Sequence, residues 1–418
     1  MPAAPAPTSR VRRCGRPRSA RSLSAWPDGR AAAPAPPRKP RRPSGLGAFS
    51  WRGRTHPGRR ALACQTMKNP HYNPTKSHHR PNGFQNNHAS FRGKRWHEIL
   101  RWRWQAWRAG LPKPLQEPIP VVAPDLAFIH GNAQAGLQMQ PAATWIGHIT
   151  VLLQIGGLNV LTDPVFSERC FPVQWAGPRR HTPPGLTLGQ LPHIDIVLLS
   201  HNHYDHLDEG SMRALAQQPG GAPLVICPLA HRHWLNRWGL HRVVELDWWD
   251  RHVIEPSAHN HRVPVVLTPA QHWSARTTTD ALRSLWGGFA VLSPDCHLFF
   301  AGDTAYSKDF VDIRQHFARE HTPGQGGGFD LALLPIGAYE PRWFMKDQHV
   351  NPKEAVQIFE DLGCKRALAV HWGTFQLTDE ALDEPPRALA AALHAADLPA
   401  EAFRVMAVGQ TWRLPPRP

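Results

Sequence analysis

Short apolar runs alternate with polar, glycine- and proline-containing segments along the chain from about residue 142 onward. Runs of this kind, bounded by turn residues, are typical of buried strands. They predict strands at 144–155, 159–162, 194–199, 224–227, 243–246, 265–268, 288–292, 297–301, 330–335, 366–370 and 403–408. The first two form a hairpin that turns at Gly156 and Gly157. Apolar residues at helical spacing predict helices at 209–218, 231–238, 352–362 and 380–396.

A tryptophan- and arginine-rich segment at 94–108 precedes this strand-rich region. Helical spacing places four residues on one face, with Ile99 at its edge: Trp96, Leu100, Trp104 and Trp107. Two interpretations stay open. The face lies at a membrane interface, where indole rings are favoured, or it packs on the body of the protein as in an ordinary amphipathic helix. The polar segment 67–95 is predicted to be loop, and prolines within 112–120 predict a stiff connector.

Seven side chains of metal-binding type stand where predicted strands give way to loops. They are His201, His203, Asp205 and His206 after one strand, and His272, Asp303 and His371 after three others. Imidazole nitrogens and carboxylate oxygens suit zinc and related cations. Two ligands at alternate positions followed by two adjacent ones do not easily all reach one ion, and they fit two neighbouring ions. A histidine-rich surface turn, the alternative, leaves the three downstream ligands unexplained.

The pattern His-x-His-x-Asp-His, followed by separate His, Asp and His loops, resembles the metallo-β-lactamase superfamily. Longer segments resemble one branch of it, the N-acyl-phosphatidylethanolamine-hydrolysing phospholipase D family. These segments are 144–148, 161–166, 200–208, 245–249, 269–276, 301–304, 337–350 and 369–374. The run Gly-Ala-Tyr-Glu-Pro-Arg-Trp-Phe-Met at 337–345 is specific to that branch. The resemblance implies an α/β fold, the αββα sandwich of two mixed sheets with outer helices, and the alternation of predicted elements fits it.

The resemblance also implies two Zn²⁺ ions per chain and a role for each ligand. One ion is held by His201, His203 and His272, the other by Asp205, His206 and His371, and Asp303 bridges both. An aspartate at the position of Asp163 holds a ligand histidine through its other ring nitrogen, whereas the alternative is a simple turn residue before Pro164. His148 is left outside the metal set, either supporting a ligand or merely packed.

Three aspartates, Asp163, Asp205 and Asp303, are the candidate catalytic carboxylates. Two zinc ions held by these residues would activate a water molecule near neutral pH for attack on a phosphodiester and would neutralise its oxygens. Asp205 or a metal-bound water then protonates the leaving oxygen.

The family resemblance implies hydrolysis of N-acyl-phosphatidylethanolamine to an N-acylethanolamine and phosphatidic acid. Candidate substrate-binding residues are Tyr339, Glu340, Arg342, Gln348 and His349. An arginine suits a phosphate, but Glu340 and Arg342 equally suit a structural pair that braces the loop. Four aromatic residues either line an acyl-chain groove or belong to the core: Trp248, Trp249, Trp343 and Phe344.

The net charge of +16 is concentrated near the N-terminus. Residues 1–66 hold 15 lysines and arginines and one acid, whereas residues 116–418 hold 23 basic residues and 30 acids. Because the body is mildly acidic, a sequence-independent nucleic-acid groove on it is not expected. Six scattered cysteines without paired spacing argue against a disulfide framework and indicate a reducing compartment.

Composition divides the chain into three regions. Residues 1–66, rich in proline, alanine and arginine, are predicted to be disordered, either a basic arm for anionic lipid or nucleic acid or a non-functional extension before a true start at Met67. Residues 67–118 carry the loop, helix and proline connector, and residues 119–418 form the hydrolase domain. No run of about eighteen apolar residues and no secretory signal is visible in the sequence.

These observations favour a cytoplasmic, peripherally membrane-associated phospholipase D. Its expected partners are a phospholipid and the membrane surface, with no specific nucleic acid; a homodimer is left open. One alternative is a cytosolic metal-dependent phosphodiesterase or lactonase for a small polar substrate such as a sugar phosphate lactone. Another is a nucleic-acid- or lipid-binding protein in which the metals are structural.

Overall fold

Two seven-stranded sheets form the centre of the part of the chain described by the computed structural model, residues 68–418 except 90, 92, 416 and 418. The described strands are β1 His79–Arg80, β2 Gly83–Phe84, β3 Ala142–Gly147, β4 Thr150–Ile155, β5 Leu158–Thr162, β6 Ile196–Leu198, β7 Leu224–Pro228, β8 Val243–Leu246, β9 Arg251–Ile254, β10 Val263–Thr268, β11 Gly288–Ser293, β12 Cys296–Phe300, β13 Leu331–Pro335, β14 Ala367–Val370, β15 Phe403–Arg404 and β16 Thr411–Arg413. The predictions for residues 1–66 and for a start at Met67 lie outside the described residues.

Along the chain, the helices occupy connections between the strands. They are α1 Trp96–Arg108, α2 Leu126–Ala133, α3 Glu209–Ala216, α4 Arg232–Arg237, α5 Asp309–His316, α6 Arg342–Met345, α7 Pro352–Leu362 and α8 Glu384–Ala395. In the described part of the chain, no helix is both long and apolar enough to cross a bilayer.

The two sheets share one topology. The first has the order β16-β3-β4-β5-β6-β7-β8, and the second β15-β14-β13-β12-β11-β10-β9. Counted from β16 in the first sheet and from β9 in the second, three antiparallel pairings are followed by three parallel ones, and the change falls at β5–β6 and at β12–β13. Both sheets are therefore mixed, and the predicted αββα sandwich is confirmed.

The strands are apolar on both faces because both faces are covered. In β4, Val151 and Leu153 belong to the large core cluster shared by the two sheets, whereas Leu152 belongs to a cluster with residues of α2 and α3. Alternate side chains of one strand thus pack into different layers, as the two-residue repeat of a strand requires. This explains why the sequence shows apolar runs and little apolar–polar alternation.

Several predicted element bounds differ from the structure. The predicted strand 144–155 is two strands, β3 and β4, because His148 has φ +54° and turns the chain between them. The strand predicted at 403–408 shortens to Phe403–Arg404. The sequence analysis did not predict helices α2, α5 and α6 or strands β9 and β16.

The predicted loop 67–95 contains the short hairpin of β1 and β2. A buried carboxylate, Asp247, fixes this hairpin to the body: it accepts hydrogen bonds from His78 Nε2 (2.7 Å), His79 Nε2 (2.8 Å) and Lys76 Nζ (2.6 Å). Because these partners come from a distant part of the sequence, no local pattern predicts the hairpin.

Helix α1 forms as predicted, but it packs through the face opposite to the predicted apolar one. All four residues of the predicted face are exposed: Trp96, Leu100, Trp104 and Trp107. The helix contacts the body through Trp102, whose Nε1 donates to Asp379 Oδ2 (2.7 Å) and whose ring lies 4.8 Å from that of Phe344. The interpretation that the tryptophan face packs on the body is therefore wrong.

Candidate metal centre

The candidate ligands lie at the ends of strands from both sheets. Asp163 follows β5, His201 to His206 follow β6, His272 follows β10, Asp303 follows β12 and His371 follows β14. Side chains that are far apart in the sequence therefore meet at one edge of the sandwich, where the strands hold them rigidly and the loops leave them accessible.

The first group of ligands contains three histidines. His203 Nδ1 lies 2.7 Å from His201 Nε2 and 3.3 Å from His272 Nε2. The three nitrogens are all within 4.8 Å of one another. These are the residues that the sequence resemblance assigned to one ion.

The second group contains Asp205, His206 and His371. Asp205 Oδ2 lies 3.4 Å from His371 Nε2 and 3.7 Å from His206 Nε2. Asp303 joins this group to the first: its carboxylate oxygens lie 3.1 Å from His206 Nε2, 3.2 Å from His371 Nε2 and 3.8 Å from His272 Nε2. Asp303 thus lies between the two ligand groups.

Hydrogen bonds from outside the cluster orient two ligand rings. Asp163 Oδ2 lies 2.7 Å from His206 Nδ1, and Asp163 Oδ1 accepts the backbone N–H of Ser200 (2.7 Å). The backbone carbonyl of Gln348 accepts from His272 Nδ1 (2.8 Å). With Nδ1 engaged in this way, each ring presents Nε2 to the cluster.

The electrostatics of His203, His272 and Asp303 favour the protonation states that bind metals. Burial lowers the pKa of His272 to about 3 and that of His203 to about 4, so both imidazoles are neutral. Burial would raise the pKa of Asp303, but His206 and His371 outweigh it and hold this pKa well below its ordinary value. Neutral imidazole and ionised carboxylate are the forms that coordinate a cation.

Several buried polar atoms of the cluster have no hydrogen-bond partner among the described residues. They include His203 Nε2, His371 Nε2 and Asp303 Oδ1. Buried polar atoms are normally paired, and an ion is one of the standard explanations when they are not. The donor set, five histidines and two aspartates, fits two cations of the zinc type.

The predicted substrate-binding residues do not all reach the cluster. His349 does: its Nδ1 lies 3.8 Å from Asp303 Oδ2. Gln348 contributes its backbone carbonyl to His272, while its side-chain Nε2 contacts Met345 Sδ (3.3 Å). Tyr339 is buried and donates its hydroxyl to Glu384 (3.0 Å), so its contacts are structural.

Arg342 takes a different partner from the predicted one. Its Nη2 donates to Glu354 (2.8 Å) and its Nη1 to the backbone carbonyl of His349 (2.9 Å), so it braces the segment that carries His349. The carboxylate of Glu340 accepts the backbone N–H of Arg342 (2.9 Å). The structural pair is therefore Arg342–Glu354, and the guanidinium is already engaged.

The four aromatic residues do not form one groove. Trp248 is buried in the core and stacks on His78 with ring centroids 4.4 Å apart. Trp249 stacks on His316 instead. Trp343 and Phe344 lie beside α1, with Arg101 of that helix 4.8 Å from the centre of the Trp343 ring. The core interpretation is correct for Trp248, and a groove made of all four residues is wrong.

Two further residues lie next to the cluster: His148, which the sequence analysis left either supporting a ligand or merely packed, and Trp273, whose place it did not predict. His148 Nε2 lies 3.3 Å from Asp205 Oδ2. Trp273 packs its ring 4.5 Å from that of His203 and stacks on Phe91 (5.0 Å). The position of His148 directly after an apolar strand was a signal for it, since the other candidate ligands share that position. Trp273 directly follows His272 in the sequence, and this position was the signal for its place beside the cluster.

Comparison with known proteins agrees with the geometry. Residues 158–372 match the family model of the beta-lactamase superfamily domain. An uncharacterized protein of Mycobacterium tuberculosis is 40% identical over 66% of this chain and 68% of its own length. N-acyl-phosphatidylethanolamine-hydrolyzing phospholipase D 1 of Caenorhabditis elegans is 35% identical over 65% of this chain and 75% of its own. The crystal structure of an isothiocyanate hydrolase from Delia radicum gut bacteria aligns with a TM-score of 0.51 and 19% identity, covering 66% of this chain and 99% of the other.

The sandwich and the histidine–aspartate cluster at its edge define an enzyme, a hydrolase of the metallo-β-lactamase class. Within that superfamily, the chain belongs to the family of the N-acyl-phosphatidylethanolamine-hydrolysing phospholipases D. The family resemblance predicted from the motifs is confirmed.

Proposed function

We propose that this chain is a zinc-dependent phosphodiesterase of the phospholipase D type, which hydrolyses N-acyl-phosphatidylethanolamine to an N-acylethanolamine and phosphatidic acid. The observation that carries the proposal is the position of Asp303 between two ligand groups, with His206 and His371 on one side and His272 on the other. The name of the C. elegans relative supplies the substrate.

Two zinc ions held by these groups would activate a water molecule near neutral pH and neutralise the phosphate oxygens. In the proposed reaction water attacks phosphorus, and the bond from phosphorus to the oxygen of the N-acylethanolamine breaks. The leaving oxygen takes a proton, and phosphatidic acid keeps the phosphate. Asp205 is the most accessible carboxylate of the cluster, with 16% of its side chain exposed against 2% for Asp303 and 0% for Asp163. It is therefore the carboxylate proposed to pass this proton.

His349 is the proposed substrate contact from the chain itself. Its ring is 12% exposed and its Nδ1 has no hydrogen-bond partner among the described residues. Burial lowers the pKa of His349 to about 3, so the ring is neutral and can donate one N–H to a phosphate oxygen. Arg342 acts indirectly, because it holds the backbone carbonyl of His349 (2.9 Å).

The membrane surface is the proposed location of the substrate. Helix α1 presents exposed tryptophans together with arginines, a combination that favours the headgroup region of an anionic bilayer. The same helix packs against Phe344 of α6, and the segment after α6 leads to His349 at the cluster. A bilayer bound to α1 would therefore lie next to the segment that reaches the metal centre. We propose a peripheral membrane enzyme on this basis.

Product analysis tests the proposal. The zinc-loaded full chain is incubated with mixed phospholipid vesicles that contain N-acyl-phosphatidylethanolamine, and the products are measured by mass spectrometry. We expect N-acylethanolamine and phosphatidic acid in equal amounts, and neither product after metal removal by a chelator. Release of free fatty acid or of diacylglycerol would contradict phospholipase D chemistry. Turnover of a soluble diester or a sugar phosphate lactone without lipid turnover would favour the small-substrate alternative.

A further inference from the structure

His148 is held by its backbone in a conformation that aims its side chain at the metal centre. Its N–H donates to Thr374 Oγ1 (2.8 Å), and its carbonyl accepts from the His371 N–H (2.8 Å) and from Trp145 Nε1 (3.0 Å). Its φ of +54° lies in the left-handed region, which is costly for a residue with a side chain. Three hydrogen bonds to two neighbouring segments thus maintain an unusual backbone conformation at this position.

The side chain of His148 is fully buried next to the second ligand group. Its Nε2 lies 3.3 Å from Asp205 Oδ2, and its ring centroid is 4.1 Å from that of His371. One donor atom each from His148, Asp205, His206 and His371 lie within 4.8 Å of one another. The separation of His148 from Asp205 is close to one found within the predicted ligand set, where Asp205 and His371 are 3.4 Å apart.

Unpaired polar atoms occur in this part of the cluster as well. His148 Nδ1 and both ring nitrogens of His371 have no hydrogen-bond partner among the described residues, and both residues are at most 2% exposed. An unpaired donor or acceptor in such a buried place needs a partner that the protein does not supply. A cation among these side chains would be that partner for His371 Nε2, the unpaired nitrogen that lies near Asp205 (3.4 Å) and Asp303 (3.2 Å).

We propose that His148 is a further nitrogen ligand of the ion held by Asp205, His206, His371 and Asp303. The two metal positions are then unequal. This position has five protein donors, whereas the other has four, from His201, His203, His272 and Asp303. The inference rests on the metal-binding part of the proposed function and is independent of the lipid substrate.

Cobalt substitution tests the proposal without any substrate. In the Co²⁺-loaded full chain, each coordinated imidazole gives one strongly shifted N–H proton resonance, which ¹⁵N-histidine labelling identifies. We expect six such resonances in the wild type and five in His148→Ala. His231→Ala is the matched control, because His231 is equally buried but contacts the carbonyl of Pro228 (3.0 Å) outside the cluster, and it should keep all six.

The count of shifted resonances in the wild type decides the proposal. Five shifted resonances in the wild type would overturn the proposal and leave His148 as a hydrogen-bond donor to Asp205. This criterion holds even if His148→Ala does not fold. Six resonances without lipid hydrolysis would instead count against the proposed function alone.

Discussion

At the scale of single residues, the structure separates groups that touch the metal centre from groups that only support it. Asp303 touches both ligand groups, and His349 reaches its carboxylate (3.8 Å). Arg342 was predicted from the same segment as His349, but Glu354 engages its guanidinium (2.8 Å). Sequence position alone did not distinguish these roles, because neighbouring residues of a loop point in different directions.

Replacing Asp303 by asparagine tests the bridge. Asp303→Asn keeps the size of the side chain but removes the charge that two ions would share, so turnover of a soluble diester should fall at least about 100-fold. The circular dichroism spectrum should stay unchanged, because the buried strands around the site keep their packing. Glu209→Gln, at an exposed surface pair with Arg213, serves as the control and should keep full turnover. Near-normal turnover of Asp303→Asn would mean that the carboxylate does not bridge.

At the scale of elements, the amphipathic pattern of α1 predicted the helix correctly, but one interpretation of that pattern assigned the wrong face to the contact with the body. The spacing of its tryptophans predicted the helix over the right residues, yet the residue that packs is Trp102, on the other face. Its indole N–H donates a hydrogen bond to the carboxylate of Asp379 (2.7 Å), and its ring packs against that of Phe344. These partners come from distant segments, so the sequence of the helix carries no sign of them.

Removing two exposed tryptophans of α1 tests its role. Trp104→Ala combined with Trp107→Ala should weaken binding to anionic vesicles about tenfold or more, because indole burial at the interface is lost. Hydrolysis of a soluble diester should change less than twofold, since neither side chain packs in the core. Both effects are measured on the same preparations, by co-sedimentation and by product release.

Trp175→Ala is the matched control for this experiment, because Trp175 is 82% exposed but lies outside α1. It should leave vesicle binding unchanged. An equal loss of vesicle binding and of soluble-diester hydrolysis in the double variant would show that α1 supports the fold and does not contact lipid.

At the scale of the whole molecule, one domain gathers many buried histidines that are neutral without metal. Burial lowers the pKa from the ordinary 6.5 to about 3 or about 4 in His148, His203, His272 and His349, and to well below 6.5 in His201. His206 is the opposite case: burial would lower its pKa, but Asp303, Asp205 and Asp163 raise it well above 6.5. Among these six histidines, folding therefore lowers the pKa of five and raises that of His206 alone.

The metal-free protein should consequently lose stability as the pH falls below about 6.5. In that range the unfolded chain binds protons on these histidines and the folded chain does not, so protonation favours unfolding. His206 is already protonated in the folded state, so its contribution to stability rises as the pH falls and offsets the loss from one of the other histidines. Urea denaturation of chelator-treated protein at pH 7, 6 and 5 measures the effect. A free energy of unfolding that stays constant or rises towards pH 5 would contradict the assigned protonation states.

The sequence by itself determined the superfamily, most strands and helices, and the seven residues that meet at the edge of the sandwich. It could do so because metal ligands and buried strands are local signals: each ligand follows an apolar run, and each run is a strand. The homodimer, the lipid partner and the three-region division of the chain stay predictions.

Only the tertiary structure decided which side chains support the ligands and which face of α1 packs. Asp163 and His206, Gln348 and His272, and Arg342 and Glu354 are pairs set by how loops from different strands approach one another. His148 joined the cluster for the same reason, since its place beside Asp205 depends on a turn fixed by Thr374 and His371. Contacts between distant segments follow from packing, and no local pattern in the sequence encodes them.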